Sequence, residues 1–130
     1  MKNKIKICIV RSKYNETSKL LNSATKELKK RKIYFSTIDV PGAFEIPVMI
    51  ARSINKYDGF IALGSIIKGQ TPNFKFISSS ITDALMQLSI LYKKPIGNAV
   101  LTCLNDKQAK LRANKGYEAA IAVCDVLNVK

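Results

Sequence analysis

Four short apolar runs rich in β-branched residues alternate along this chain with segments whose apolar residues recur at helical spacing. The runs have the length of strands and cover residues 5–10, 34–40, 60–63 and 96–101. Strands that are separated by helices and apolar on both faces predict a parallel sheet with right-handed crossovers. The pattern therefore predicts an α/β fold, a three-layer α/β/α sandwich around a four-stranded parallel sheet.

The intervening segments predict four helices. The first follows Asn15, which is a good capping residue, and the others cover residues 46–55, the segment after Thr71-Pro72, and residues 114–128. Their apolar stripes are Leu20, Leu21, Ala24 and Leu28; Ile77, Ile81, Leu85, Leu88 and Leu91; and Ala119, Ala120, Val123, Cys124 and Leu127. The length suits one domain, so residues 1–130 are expected to form a single unit.

Composition bears on three classes of function. The formal net charge is +13, but the lysines are scattered and are not interleaved with aromatic residues, so we expect a solvated basic surface and no nucleic-acid partner. The chain has no histidine, which excludes any mechanism that needs an imidazole base. No cluster of metal ligands is visible, and no metal is expected.

The three cysteines and the short apolar runs bear on compartment. Cys8, Cys103 and Cys124 are odd in number and form no Cys-x-x-Cys pair, which favours packed thiols in a reducing cytoplasm. The apolar run near the amino terminus is too short for a secretory signal, and no run could span a bilayer, so no membrane is expected as a partner.

In parallel sheets ligands bind beyond the carboxyl ends of the strands, which directs attention to three loops. The first holds Tyr14, which is either a surface aromatic or a flat platform for a heterocycle. The second, residues 41–47, is either an ordinary Pro-Gly turn or a helix start whose free N–H groups and Glu45 carboxylate could hold hydroxyl groups.

The third loop, residues 64–71, has two glycines around a polar turn that leads into a helix, which suits an anion. It lacks the Gly-Lys-Ser/Thr ending of a P-loop. Arg112 and Lys115 precede the last helix, and each is either surface charge or part of a phosphate clamp with Gln70 and Thr71.

Four motifs, taken together and in this order, resemble the lumazine synthase family. They are VPGAFEIP at 40–47, ALGSIIKGQT at 62–71, IGNAVLT at 96–102 and NKG at 114–116. The resemblance runs from Ile5 to about Leu127. It implies a flavodoxin-like fold, no cofactor, and the condensation of 5-amino-6-(D-ribitylamino)uracil with 3,4-dihydroxy-2-butanone 4-phosphate to 6,7-dimethyl-8-ribityllumazine in riboflavin biosynthesis.

The resemblance also implies roles for individual residues. Tyr14 would stack on the pyrimidine, at a position usually held by Phe or Trp. The ribityl chain and ring would be held by Ala43, Phe44 and Glu45, and the uracil edge by the backbone of Ser65, Ile66 and Ile67. The phosphate would be bound by Gln70, Thr71 and Arg112. Asn98 would line the site of a neighbouring subunit, in a homo-oligomer that is expected to be a pentamer, with riboflavin synthase as a candidate partner.

Three departures from the family pattern matter. Asn73 stands where the family has a proton-transferring His, so the residues at catalytic positions are Asn73, Arg112 and Lys115. An amide can hydrogen-bond but cannot shuttle a proton near neutral pH. Only two residues separate Arg112 from Lys115, fewer than usual, and few residues precede the first strand, which favours a plain pentamer over a shell.

Three functions follow as alternatives. The first is the lumazine-forming enzyme. The second is a weakened or inactive family member that binds a ligand or serves assembly, which Asn73 favours and the intact Phe44, Glu45 and Arg112 oppose. The third is nucleic-acid binding driven by the positive charge, which predicts micromolar affinity with a steep dependence on salt.

Overall fold

The structure, a computed structural model, describes residues 4–69 and 73–129. Its strands are β1 (Lys6–Ser12), β2 (Tyr34–Val40), β3 (Gly59–Ile67) and β4 (Ile96–Cys103). Its helices are α1 (Ser18–Lys30), α2 (Ile46–Ser53), α3 (Phe74–Tyr92), α4 (Asp106–Leu111) and α5 (Lys115–Val126), and a 3-10 turn covers Ala43–Glu45.

The described strands form one parallel sheet in the order β2-β1-β3-β4, with a helical layer on each face. On one face Ile9 and Leu63 pack in a cluster that includes α1 and α5 residues such as Leu28 and Val123. On the other face the cluster consists of Cys8, Val10, Val40, Ala43, Ile46, Ile50, Ile54, Phe60, Ala62, Ile66, Ile81 and Leu85. The α/β/α sandwich expected from the sequence is confirmed.

The third strand is longer than the sequence suggested. Gly64 was expected to end it, yet β3 continues to Ile67 and stays paired with β4. A Cβ at Gly64 would lie 3.0 Å from Ser12 Oγ and 3.3 Å from Ile46 Cδ1, so this glycine allows close packing of α2 on the sheet. Residues 65–67 are therefore the buried end of a strand and not part of a loop.

The start of α1 and the existence of α4 also differ from the expectation. The helix α1 begins at Ser18 with Thr17 at the N-cap position, so Asn15 is not its cap. The extra helix α4 begins after Asn105, whose side chain accepts a hydrogen bond from Gln108 N. That helix is six residues long, too short for its apolar periodicity to have been recognised.

The apolar stripe of α3 divides into two parts. Ile81 and Leu85 are buried against the sheet, whereas Leu91, which was expected on the same stripe, is 70% exposed. Phe76 and Ile90 on this helix are also exposed, at 78% and 67%. The outer side of α3 is thus an apolar surface that this chain alone does not cover.

Candidate functional site

A cavity of about 150 Å³ lies beyond the carboxyl ends of β1 and β3. A cavity of roughly this size can hold one six-membered ring. Its lining consists of Tyr14, Asn15, Gly42, Ala43, Phe44, Ser65, Ile66, Ile67 and Ile77. Six of the residues to which the sequence assigned substrate binding are brought together here, namely Tyr14, Ala43, Phe44, Ser65, Ile66 and Ile67.

Larger depressions of about 530 and 430 Å³ lie at the opposite end of the sheet. One is formed around Arg31 and Val129, where α1 and α5 end, and the other around Pro95, where β4 begins. Ligands of open parallel sheets bind beyond the carboxyl ends of the strands, so the position of the smaller cavity makes it the better candidate in spite of its size. We take the 150 Å³ cavity as the candidate site.

Two aromatic side chains stand at the rim of this cavity. Tyr14 is 61% exposed and Phe44 is 64% exposed, although both line the cavity. The backbone N–H of Tyr14 donates to the Pro41 carbonyl at 2.8 Å, which fixes the first loop against the second. Exposed aromatic faces at a cavity rim can stack on a flat heterocycle.

Glu45 has a different position from its neighbours in the motif. Its Oε1 accepts a hydrogen bond from Gly42 N at 2.9 Å, so the carboxylate closes its own turn, and Glu45 is not among the residues that line the cavity. This contact fixes the backbone of Ala43 and Phe44. Within this chain, Glu45 therefore acts on the cavity indirectly, by holding the turn that carries the lining residues Ala43 and Phe44.

Asn15 lines the cavity, although the sequence analysis assigned it no part in substrate binding. Its φ is 69°, in the left-handed region, and its Nδ2 donates to the Ser65 carbonyl at 2.8 Å. Asn tolerates this backbone conformation better than most residues. An Asn directly after the aromatic residue of this loop is a signal for a left-handed turn, but the sequence analysis interpreted Asn15 as a helix cap. Gly42 and Ile77 are the other lining residues to which the sequence analysis assigned no part in substrate binding.

Arg112 lies at the end of α4, beside the last residues of β4. Its Nη1 donates to the Thr102 carbonyl at 3.5 Å, and its guanidinium opposes the rise that burial causes in the pKa of the Cys103 thiol. Lys68 N donates to the Cys103 carbonyl, so Arg112 stands next to the start of the loop that leads to α3. Gln70 and Thr71, the other expected phosphate ligands, lie outside the described residues.

Asn73 is at the N-cap position of α3 and is exposed. Its carbonyl accepts a hydrogen bond from Ile77 N at 2.9 Å, and Ile77 lines the cavity. Residues four apart share one helix face, with Cβ atoms about 5–6 Å apart. Position 73 is thus on the cavity side of α3.

Lys115 and Asn98 do not line the cavity of their own chain. Lys115 begins α5, and its Nζ lies 3.3 Å from Glu118 Oε1 in an exposed ion pair. Asn98 is an exposed residue of β4, at the edge of the sheet, and its Oδ1 accepts from Val100 N at 3.0 Å.

The electrostatic character of the cavity is simple, because among the described residues that line it Tyr14 alone has a titratable side chain. In residues 4–69 and 73–129 no group of three or more His, Cys, Asp or Glu side chains could hold a metal ion. Two buried hydroxyls near the strand ends, Ser12 Oγ and Ser65 Oγ, have no hydrogen-bond partner in this part of the chain. The cavity suits an uncharged polar ring better than an ion.

Among the described helices, none is both long and apolar enough to cross a membrane.

Comparison with known proteins agrees with the motifs. The family model of 6,7-dimethyl-8-ribityllumazine synthase matches residues 4–130. Curated proteins of that name from Bartonella tribocorum and Nitrobacter hamburgensis are each 38% identical to this chain. The first alignment covers 95% of this chain and 89% of the relative, and the second covers 85% and 76%.

A third protein of that name, from Bartonella bacilliformis, is 39% identical and covers 85% of this chain and 80% of its own. Among solved structures, a split gene transketolase described as an inactive β4 tetramer is 17% identical, with a TM-score of 0.49, over 99% of this chain and 40% of its own. That likeness has no bearing on function. On the family model and the curated relatives, this chain belongs to the 6,7-dimethyl-8-ribityllumazine synthase family.

Proposed function

We propose that this protein condenses 5-amino-6-(D-ribitylamino)uracil with 3,4-dihydroxy-2-butanone 4-phosphate to form 6,7-dimethyl-8-ribityllumazine in riboflavin biosynthesis. The observation that carries the proposal is the single cavity in which Tyr14, Ala43, Phe44 and residues 65–67 meet. These residues come from three separate motifs, and a cavity of this size suits the pyrimidine ring. The reaction itself is proposed from membership of the family.

The chemistry needs no metal or organic cofactor. The 5-amino group of the pyrimidine attacks the ketone carbon, and loss of water gives an imine. Inorganic phosphate then leaves from the four-carbon unit, and the ribityl-bearing nitrogen closes the second ring with loss of another water. No electrons are exchanged with an outside oxidant.

The main task of the protein is to bring two substrates together in the correct orientation. Effective molarities for well-oriented groups reach about 10⁵ M or more, which corresponds to roughly 7 kcal/mol of the barrier. The aromatic rim and the strand end would hold the ring, so the 5-amino group would point toward the mouth. Turnover is therefore expected even though Asn73 cannot transfer a proton near neutral pH.

The phosphate of the second substrate would lie near Arg112, with Gln70 and Thr71. The position of Arg112 beside the start of the β3–α3 loop supports this assignment. Its guanidinium can bind two phosphate oxygens at once. Lys115 would first have to leave Glu118, which costs little because exposed ion pairs contribute about 1 kcal/mol or less.

The direct test is to mix both substrates with purified protein at high concentration and follow the absorbance of the lumazine product. We expect slow formation of product above the spontaneous rate. If both substrates bind but no product forms, the protein is a ligand-binding member of the family. If neither substrate binds, the protein is neither the lumazine-forming enzyme nor a binding protein for these substrates.

The phosphate assignment has its own test. Arg112→Ala should raise the KM for the phosphate substrate at least tenfold and leave the KM for the pyrimidine unchanged, because charge-assisted hydrogen bonds contribute about 1.5–3 kcal/mol. Lys110→Ala removes the same charge two residues away, at an exposed position of α4, and serves as the control. Equal KM values in the two variants would show that Arg112 does not bind the phosphate.

We further propose a homopentamer in which each site is shared between neighbouring subunits. The exposed apolar side chains on the outer side of α3, including Phe76, Ile90 and Leu91, support an interface there. The position of Asn98 at the exposed sheet edge, away from its own cavity, supports its use by a neighbour. Ile90→Lys should then shift the protein toward smaller species in sedimentation velocity.

The shared site can be tested by complementation. Tyr14→Ser and Asn98→Ala are each expected to lower activity. Each variant removes one side chain of the shared site, Tyr14 from one subunit or Asn98 from its neighbour. When the two variants are unfolded together and refolded, some sites would combine wild-type Tyr14 with wild-type Asn98, so activity should recover in part. No recovery would show that both residues serve the same chain or that Asn98 is not used.

The product would next be consumed by riboflavin synthase, which we propose as a partner. We place the reaction in the cytoplasm, where reduced thiols persist. The finding that all three cysteines are free and buried supports this assignment.

A further inference from the structure

The ladder between β1 and β3 ends earlier than the ladder between β3 and β4. Its last pair is Arg11 with Leu63, whereas β3 stays paired with β4 as far as Ile67. Backbone groups of β3 beyond Leu63 that face β1 therefore have no strand partner. The cavity opens at this gap in the sheet.

The side chain of Asn15 fills part of the gap. Its amide donates to the Ser65 carbonyl at 2.8 Å across fifty residues of sequence, in a half-buried contact. Among the described residues it is the hydrogen bond by which a side chain of the β1–α1 loop reaches β3. One backbone acceptor at the end of β3 that lacks a strand partner is thereby satisfied.

The same loop is fixed on its other side by backbone contacts. Lys13 N donates to the Val40 carbonyl at 2.9 Å, and Tyr14 N donates to the Pro41 carbonyl at 2.8 Å. The loop around Tyr14 is thus attached to the end of β2 through the Tyr14 backbone and to β3 through the Asn15 side chain. Without the Asn15 amide, only the first of these two attachments would remain.

We propose that Asn15 is a positioning residue, which holds the Tyr14 ring at a fixed height over the end of β3 so that a pyrimidine fits between them. This role rests on the proposed function. It concerns binding of the ring substrate, since the Asn15 amide bonds to Ser65, which lines the cavity together with Tyr14. Loss of the amide should therefore raise the KM for the pyrimidine and leave the KM for the phosphate substrate unchanged.

The positive φ allows a sharp choice of variants. Asn15→Gly keeps the left-handed backbone accessible and removes only the side chain. Asn15→Asp keeps the shape but replaces the donor with an acceptor that faces the Ser65 carbonyl. Asn128→Gly is a matched control, because Asn128 has a φ of 60° and lies at the far end of the sheet.

Steady-state kinetics with each substrate varied in turn provide the readout. We expect Asn15→Gly to raise the pyrimidine KM about two- to tenfold, which corresponds to one hydrogen bond, and Asn15→Asp to raise it further. The phosphate-substrate KM should match that of Asn128→Gly within twofold. Circular dichroism and urea unfolding would establish that the variants are folded.

The outcomes separate this inference from the proposed function. If the wild-type protein is active but both Asn15 variants match Asn128→Gly in pyrimidine KM, the positioning role is wrong and the function stands. If both KM values rise together, or if neither Asn15 variant folds, Asn15 is a general structural residue and the role is again wrong. If the wild-type protein neither binds nor converts the substrates, the proposed function fails first.

Discussion

A histidine at position 73 should make this protein a faster enzyme. Asn73 is exposed, its φ of −106° is open to any residue, and it lies one helical turn from Ile77 in the cavity wall. The variant Asn73→His would therefore place an imidazole at the cavity mouth with little cost to stability, because exposed substitutions usually change it by about 0.5 kcal/mol or less.

The size of the gain follows from the role of a general acid or base. Such groups contribute typically about 10²–10⁴ in rate, or about 2.7–5.5 kcal/mol of the barrier. The surroundings of the new imidazole are not adapted to it, so we expect a gain in kcat at or below the lower limit of this range, about tenfold to a hundredfold. The KM values should change little, because Asn73→His adds a proton-transfer group at a position to which no substrate contact is assigned.

The pH profile distinguishes proton transfer from other effects. The positive end of α3 disfavours a second positive charge, so the pKa of the introduced imidazole should lie at or below its usual value near 6.5. The neutral form, which can accept a proton, then predominates at pH 7 to 8. The advantage of Asn73→His over wild type should be largest there and should fade as the pH drops below about 6.

The assay is lumazine formation at saturating concentrations of both substrates, from pH 5.5 to 8.5. Asn114→His is the matched control, because Asn114 is the exposed N-cap residue of α5 and lies outside the cavity lining. If Asn73→His is folded and binds both substrates but its kcat stays within twofold of wild type, the assignment of position 73 to proton transfer is wrong.

Three further predictions concern stability and reactivity. A Cβ at Gly116 would collide with the Leu20 carbonyl, so Gly116→Ala should lower the free energy of unfolding by about 1–3 kcal/mol or more in urea titrations, and an unchanged midpoint would contradict this packing. The Arg11 guanidinium lowers the pKa of Asp39, so this ion pair stabilises the fold above pH about 4, and its contribution disappears as the pH falls through the lowered pKa. Asp39→Asn should therefore lower the free energy of unfolding by less than about 1 kcal/mol at pH 7 and should have no effect near pH 2. A cost that does not depend on pH would contradict this role of the ion pair. Burial raises the pKa of the Cys8 thiol to about 11, so all three buried cysteines should react slowly with a thiol reagent at pH 8 and rapidly in denaturant.

The sequence predicted the sheet because the strand and helix periodicities were strong and alternated cleanly. It failed at places where long-range packing decides the outcome. Gly64 resembles a strand terminator, but it continues β3 because pairing with β4 extends past it and because α2 packs closely there. The helix α4 was too short to produce a periodic signal.

In the candidate site too, local patterns could be predicted from the sequence and long-range contacts could not. Tyr14, Phe44 and residues 65–67 could be placed together because their motifs follow neighbouring strands at the same end of the sheet. Asn15 was missed, since a capping residue and a left-handed turn residue have similar local sequences. Its actual partner, Ser65, is fifty positions away and becomes adjacent only when the sheet forms.

The nearly uncharged lining of the cavity has a consequence for the order in which substrates are captured. A ring held by stacking and backbone groups should bind with an affinity that hardly changes with ionic strength. A phosphate held by an exposed arginine should bind more weakly as salt rises, because counterions screen that attraction. Across the range of ionic conditions in a cell, the pyrimidine would therefore remain bound while occupancy by the four-carbon phosphate sets the pace of lumazine formation.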